Sequence, residues 1–220
     1  MLPLRDHRPT RIFPAITFSI IVTNVLVFIL EVYLDLTGYL DWFFYSFAII
    51  PSLIVQGEQL YALITAMFIH GGLFHVFFNM LYLYIFGNNI EDSMGSGRFI
   101  LFYLLCGLAA SFAQVLMDPQ SSIPTLGASG AIAGVLGAYM VLYPRERVDV
   151  LLGYFYMRIP AIIVLLSWFV LQLFSGFLSL GGPSQGGVAF FAHIGGFVTG
   201  AILIFFFRRK QRNQWQNMRI

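Results

Sequence analysis

Charge is the scarcest property of this 220-residue chain. Only 10% of its residues are Asp, Glu, Lys or Arg, against about 25% in an ordinary soluble domain. So few charges could not cover the core of a sequence that is 59% hydrophobic and 17% aromatic, with a mean hydropathy of +0.81. This scarcity excludes a soluble enzyme, a disordered chain and a nucleic-acid binder. Cysteine is nearly absent too. The one thiol, Cys106, stands in an apolar run, which excludes a disulfide scaffold and any multi-thiolate metal site. What remains is an integral membrane protein, with the lipid bilayer as its first partner.

A helix needs about 20 mostly apolar residues to cross about 30 Å of hydrocarbon. Six spans are predicted: Phe13–Tyr33, Leu73–Ile90, Phe99–Met117, Ser129–Tyr143, Ile159–Leu180 and Val188–Phe207. Leu40–Val55 is also apolar, but Asp41 and Pro51 interrupt it and it is rich in aromatics, which suits the headgroup region better than a crossing. With the N-terminus inside, basic residues are missing from the outer loops altogether. Arg5, Arg8 and Arg11 precede the first span, and Arg98 follows the second. Arg145, Arg147 and Arg158 follow the fourth, and Arg208, Arg209, Lys210, Arg212 and Arg219 follow the sixth. The outer loops hold only Asp35, Asp41, Glu58 and Asp118. That is the positive-inside pattern. The expectation is an all-α bundle of six transmembrane helices with both termini cytoplasmic. Residues 1–12 form a cytoplasmic segment, 13–207 one membrane domain and 208–220 a basic cytoplasmic tail. The first apolar run is too long for a signal h-region and is expected to stay as an anchor. The small size points to a prokaryotic plasma membrane.

Polar groups inside a span are costly and are functional candidates by default. His75 and Asn79 lie four apart on the second span, hence on one face. Ser129 opens the fourth span within Gly127-Ala128-Ser129-Gly130, and His193 sits in the sixth within Ala192-His193-Ile194-Gly195. At 1.5 Å per residue, His193 and Asn79 both lie roughly 8–9 Å below the outer ends of their spans. The fourth span is only about 22 Å long, so it begins below the outer surface with Asp118–Ala128 dipping in to meet it. Ser129 then falls at the depth of the other three. Gly130, Gly134 and Gly137 on the fourth span, with Gly196 and Gly200 on the sixth, allow close backbone approach.

These residue types suit nucleophilic catalysis. A serine hydroxyl needs a base within about 3 Å to accept its proton, and His193 can be that base. The helix N-terminus at Ser129 offers unpaired N–H groups to a developing oxyanion, and His75 and Asn79 add side-chain donors. No carboxylate completes a triad; Glu31 is expected to snorkel to the interface. A Ser–His dyad results, with no cofactor and no metal. His70 is read as a structural residue of the outer loop, Asn24 as an interhelical hydrogen bond and Cys106 as packing.

The ordered set resembles the rhomboid intramembrane serine proteases. It is carried by Gly127-Ala128-Ser129-Gly130, by Ala192-His193-Ile194-Gly195-Gly196, and by His70-Gly71-Gly72-Leu73-Phe74-His75-Val76-Phe77-Phe78-Asn79. Glu91 with Gly95-Ser96-Gly97-Arg98-Phe99 fits too. The resemblance implies Ser129 as nucleophile, His193 as general base and acid, and His75, Asn79 and the Ser129 N–H as oxyanion hole, supported by Gly127, Gly130 and Gly196. It further implies Leu180–Gly187 as a cap and the fifth span as a lateral gate, with Phe78 and Trp168 on the gate side. Substrates would be single-pass membrane proteins, cut near the outer end of their helix. Two features depart from many members. Ala133 stands where many members carry an aromatic that stacks on the histidine, which leaves His193 less firmly oriented unless another aromatic such as Phe190 or Tyr139 compensates, and the first outer loop lacks a Trp-Arg pair. Two other classes fit the composition. A catalytically silent relative would bind membrane proteins without cutting them. A small transporter would need polar residues through both leaflets, which the inner halves of these spans lack.

Overall fold

The computed structural model describes residues 1–179 and 189–209. The segment 180–187, expected as a cap, lies outside the described residues, as do Val188 and the tail from Lys210 onward. In chain order the elements are β1 (Leu2–Asp6), α1 (Ala15–Leu36), α2 (Leu40–Phe47), α3 (Pro51–Val55), α4 (Ala62–Thr65), α5 (Leu73–Tyr82), α6 (Asn88–Met94), α7 (Ser96–Met117) and α8 (Ser129–Leu142). A hairpin of β2 (Arg147–Leu152) and β3 (Phe155–Pro160) follows, then α9 (Ala161–Ser179) and α10 (Phe190–Phe207).

Helices α1, α7, α9 and α10 are each long and apolar enough to cross a membrane. A π turn at Leu83–Gly87 joins α5 to α6. Together with Ala62–Phe68, from which it bends by 93°, that run makes a fifth candidate. Helix α8 is apolar but has only 14 residues, roughly 21 Å. The aromatic stretch Leu40–Val55 breaks into α2 and α3, neither of which is long enough to cross.

The short α8 lies at the centre, buried from Gly130 to Tyr139. Its neighbour α10 lies against it backbone to backbone. A methyl group added at Gly196 would run into the Gly130 carbonyl oxygen, and one at Gly200 into that of Gly134. On the α8 side, one at Gly137 would strike the Phe197 carbonyl. The small residues Ala110 and Cys106 of α7 fill the third side of the same contact. Away from it, α1 and α9 turn leucine, valine and phenylalanine side chains outward, as a bilayer solvent favours.

Glu91 organises the end of the bundle where α1 and α7 begin. It is fully buried, and its carboxylate accepts the Ile16 N–H at 3.0 Å, the Thr17 N–H at 2.8 Å and the Thr17 hydroxyl at 2.8 Å. These N–H groups belong to the first turn of α1, where no intrahelical acceptor exists and the helix dipole favours an anion. Ser96 donates to the same carboxylate, so one side chain ties together the starts of α1 and α7. Asn24 departs from the expectation. Its amide donates to Ile20 O of its own helix rather than across to another, since a short side chain in mid-helix reaches the carbonyl one turn back.

The all-α expectation also needs correction. β1, β2 and β3 form a three-stranded antiparallel sheet in that order. Its signal is the period-two alternation of Val148 and Val150, both fully buried, beside a two-residue turn at Gly153-Tyr154. Gly153 has φ +59 and Tyr154 does not share the positive φ, the pattern of a type II′ turn. Pro3, lacking an N–H, falls on the outer strand β1, where one donor fewer is tolerated. Arg158 Nε donates to Asp149 at 2.9 Å across the hairpin, and Arg8 pairs with Glu146 at 3.0 Å while covering the Tyr143 ring. Asp6 fastens the sheet to the bundle by accepting from Tyr139 Oη at 2.9 Å and from the Asn89 amide. Burial raises the Asp6 carboxyl to about 6, against the opposing pull of the Tyr139 bond.

Two outcomes follow. Gly200→Val is expected to lower the thermal midpoint in detergent by roughly 5 °C or more, whereas Gly97→Ala, whose added methyl meets nothing, leaves it unchanged or slightly raised. Because the folded Asp6 binds its proton more tightly than the unfolded chain does, its contribution to stability is full below about pH 4 and is lost as pH rises through about 6. Asp6→Asn is therefore expected to raise the midpoint at pH 8 and leave it unchanged at pH 4, as measured by thermal melts at both.

Candidate active site

Ser129 is the first residue of α8. The chain reaches it through a segment held on both sides. Thr125 and Ile49 exchange backbone hydrogen bonds at 2.7 and 2.9 Å, and the Gly127 N–H donates to Ala66 O at 2.9 Å. Gly127 itself has φ +128, a conformation that side chains oppose. A Cβ there would also come within 2.9 Å of the His75 ring. Glycine is required twice over at this entry to α8.

His193, on α10, meets the serine. Its Nε2 lies 2.7 Å from Ser129 Oγ, and its Nδ1 lies 2.8 Å from Gln172 Oε1 on α9. An amide oxygen only accepts, so Nδ1 carries the proton and Nε2 presents its lone pair to the serine hydroxyl. Both His193 and Gln172 are 8% exposed. The contact between α8 and α10 described above makes the 2.7 Å distance possible, because Gly130 and Gly196 lie one residue beyond Ser129 and three beyond His193.

His75 and Asn79 complete the surround from α5. His75 Nδ1 accepts the Gly71 N–H at 3.3 Å, which leaves Nε2 of the neutral ring as a donor. That nitrogen faces Gly127 and Ser129. Asn79 is buried and its Nδ2 has no acceptor among the described residues. An unpaired buried donor is costly, so it stands ready for an incoming acceptor. Ser129, His193, His75 and Asn79 all line one cavity of about 800 Å³, with Phe78 and Tyr82 of α5 on one side and Trp168 of α9 on the other. All four residues singled out in the sequence are thus brought together, with Gly127, Gly130 and Gly196 at the close approaches between their helices.

Three points differ from the sequence reading. Glu31 does not snorkel; it is 2% exposed and accepts the His70 N–H at 3.0 Å, because the loop entering α5 folds over it. His70 is buried as well, its ring 5.0 Å from that of His75. The aromatic that compensates for Ala133 is neither Phe190 nor Tyr139. Tyr139 packs on Phe86 and Tyr143, while Trp168 brings its ring to 5.6 Å from His193. Gln172 escaped the sequence reading, although it is the most strongly polar side chain of the fifth span and lies four residues from Trp168. Among the described residues, no three His, Cys, Asp or Glu side chains gather in a way that could hold a metal ion.

Residues 57–210 match the Rhomboid domain family, and the chain belongs to that family. It is a multi-pass membrane protein. Over 193 residues, 84% of this chain, it is 32% identical to RHOMBOID-like protein 6, mitochondrial, of Arabidopsis thaliana, covering 53% of that protein. It is 43% identical to Rhomboid protease GluP of Bacillus subtilis over 44% of this chain and 18% of that one. Inactive RHOMBOID-like protein 8 of Arabidopsis thaliana is 25% identical over 66% of this chain and 38% of its own length. The chain thus spans about half the length, or less, of these relatives.

Gly127→Ala is expected to lower the thermal midpoint by several degrees, since positive φ alone costs a side chain roughly 1–2 kcal/mol and the His75 ring must also move. An unchanged midpoint in a thermal melt would contradict this geometry.

Proposed function

We propose that this chain is an intramembrane serine endopeptidase that cleaves single-pass membrane proteins by a Ser129–His193 dyad. The observation that supports it most directly is the 2.7 Å approach of His193 Nε2 to Ser129 Oγ, within a cavity that also holds two donors free to bind an oxyanion. The family includes Inactive RHOMBOID-like protein 8, so family membership alone does not carry the activity; the intact pair does.

In this reading Ser129 Oγ attacks the scissile carbonyl carbon and His193 Nε2 takes the hydroxyl proton. The tetrahedral oxyanion accepts from His75 Nε2–H, Asn79 Nδ2–H and the Ser129 backbone N–H, which has no intrahelical acceptor at the start of α8. As the C–N bond breaks, the imidazolium returns its proton to the departing amine. Water, activated by the same nitrogen, then hydrolyses the acyl-enzyme. The substrate helix must unwind locally, because its carbonyls are otherwise held in their own hydrogen bonds.

The proposed setting is a cell plasma membrane, prokaryotic in type, with six crossings formed by α1, α5–α6, α7, α8, α9 and α10. The confinement of every Lys and Arg to segments on one side supports cytoplasmic termini, with residues 1–12 and 208–220 flanking the membrane domain 13–207. The gap between Phe78 and Trp168 is the proposed route for a substrate arriving sideways from the lipid.

Ser129→Ala and His193→Ala are each expected to abolish cleavage of a reporter single-pass substrate in detergent. Asn79→Ala is expected to lower kcat by about 10²- to 10³-fold, the loss typical of one oxyanion donor. Cleavage that survives Ser129→Ala contradicts the proposal.

A further inference from the structure

We propose that Gln172 is the positioning residue of His193 and that, because it stands on α9, it makes the readiness of His193 depend on where that helix sits. The proposal rests on reading Ser129 and His193 as the reacting pair. An imidazole that serves as a base must keep one tautomer and one ring orientation. Where an aspartate sits behind a catalytic histidine, it does both and also stabilises the imidazolium. Here the atom behind Nδ1 is the amide oxygen of Gln172 at 2.8 Å. A neutral amide can fix the tautomer and the ring plane without adding charge to a site bordered by lipid, where an unpaired carboxylate would be expensive.

The local packing explains why this side chain is held there. Trp168, Gln172 and Gly176 are four apart and form one stripe of α9. Trp168 lies 5.6 Å from the His193 ring and 6.1 Å from Phe197, and Phe169 stacks on Phe197 at 4.4 Å. The small Gly176 lets Phe190 and Ile194 of α10 come close. The opposite face of α9 exposes Leu166, Val170, Phe174 and Phe177, while Ala161, Val164 and Leu165 near its start are buried in the core, so α8, α10 and the sheet hold this helix from one side only. Trp168 is also the α9 wall of the cavity, facing Phe78 and Tyr82. A peptide that enters between α5 and α9 presses on the same stripe that holds His193. Displacement of α9 removes the acceptor from Nδ1, and the base loses its set orientation until the helix returns.

The pH behaviour separates this role from simple packing. Among the described residues, the other titratable side chain facing His193 is His75 from α5. α8 offers the Ser129 hydroxyl, α7 presents Ala109, Ala110 and Ala113 near this turn of α10, and α9 contributes Trp168 and Gln172. A carboxylate introduced at 172 would therefore dominate the field at the ring and hold its charged form to higher pH.

The experiment compares the full chain in detergent with Gln172→Met, which keeps the volume and loses the acceptor, and with Gln172→Glu, which keeps the acceptor and adds charge. The readings are kcat and KM on the reporter substrate from pH 5 to 9, the rate of labelling by a fluorophosphonate, and the thermal midpoint. Gln172→Met is expected to lower kcat and the labelling rate together by about 10- to 100-fold, with KM within about twofold. Gln172→Glu is expected to recover most of kcat and to move the acidic limb of kcat/KM upward by about one pH unit. A Gln172→Met enzyme with unchanged kcat and labelling, or a Gln172→Glu enzyme whose acidic limb does not move, overturns the proposal. Should Gln172→Met fail to fold, the acidic limb of Gln172→Glu decides alone. Loss of cleavage in Ser129→Ala with no effect in Gln172→Met removes this proposal only. Cleavage surviving in Ser129→Ala removes the reading of the pair and this proposal with it.

Discussion

Everything in this site depends on two helices lying closer than side chains normally allow. Gly130 and Gly134 of α8 face Gly196 and Gly200 of α10 so tightly that a single methyl would meet a carbonyl oxygen. In a bilayer, apolar side chains gain little by leaving lipid for protein, so close packing of small residues must hold helices together. The same contact sets the chemistry. A serine side chain is short, and its hydroxyl reaches an imidazole on another helix only when the two backbones nearly touch. Packing and reactivity are thus one constraint, which is why Gly130 and Gly196 lie within three residues of Ser129 and His193.

The rest of the molecule serves to hold that contact at the right depth. Ser129 begins a helix too short to cross alone, and the segment leading to it is pinned by Ile49 and by Ala66 O. At the end where α1 begins, Glu91 caps α1 from another helix, and Asp6 fastens the sheet to Tyr139 of α8. These polar groups are buried where their partners are fixed. Several buried polar atoms lack a partner among the described residues, and of these Asn79 Nδ2 alone belongs to a residue that lines the cavity with Ser129, at the place where an oxyanion would form.

Much of the site was legible in the sequence, for a physical reason. A histidine or asparagine inside an apolar span is costly, so each one stands out, and simple helical rise puts His75, Asn79, Ser129 and His193 in one layer. The apolar helices follow from length and apolarity, and their observed ends differ from the expected ones by a few residues, though four of them, or five with the bent pair, are long enough to cross a membrane among the described residues. The β-hairpin is hard to see in the sequence because the alternation of Val148 and Val150 is too short a pattern to stand out beside arginines that mark a side of the membrane. Glu31 was misread because a carboxylate near a helix end ordinarily reaches for water, and only the fold shows the His70 N–H waiting for it. Gln172 stands out less because its span also holds Ser167, Ser175 and Ser179, which dilute the signal, and no histidine accompanies it there.

The central claim is that the imidazole of His193 activates the hydroxyl of Ser129. It is tested most directly by treating the detergent-solubilised protein with a fluorophosphonate and locating the adduct by peptide mass spectrometry, in the wild type and in His193→Ala. This account predicts an adduct on Ser129 in the wild type that is lost in His193→Ala while the variant remains folded. An unmodified Ser129 in the wild type, or equal labelling without His193, would contradict it.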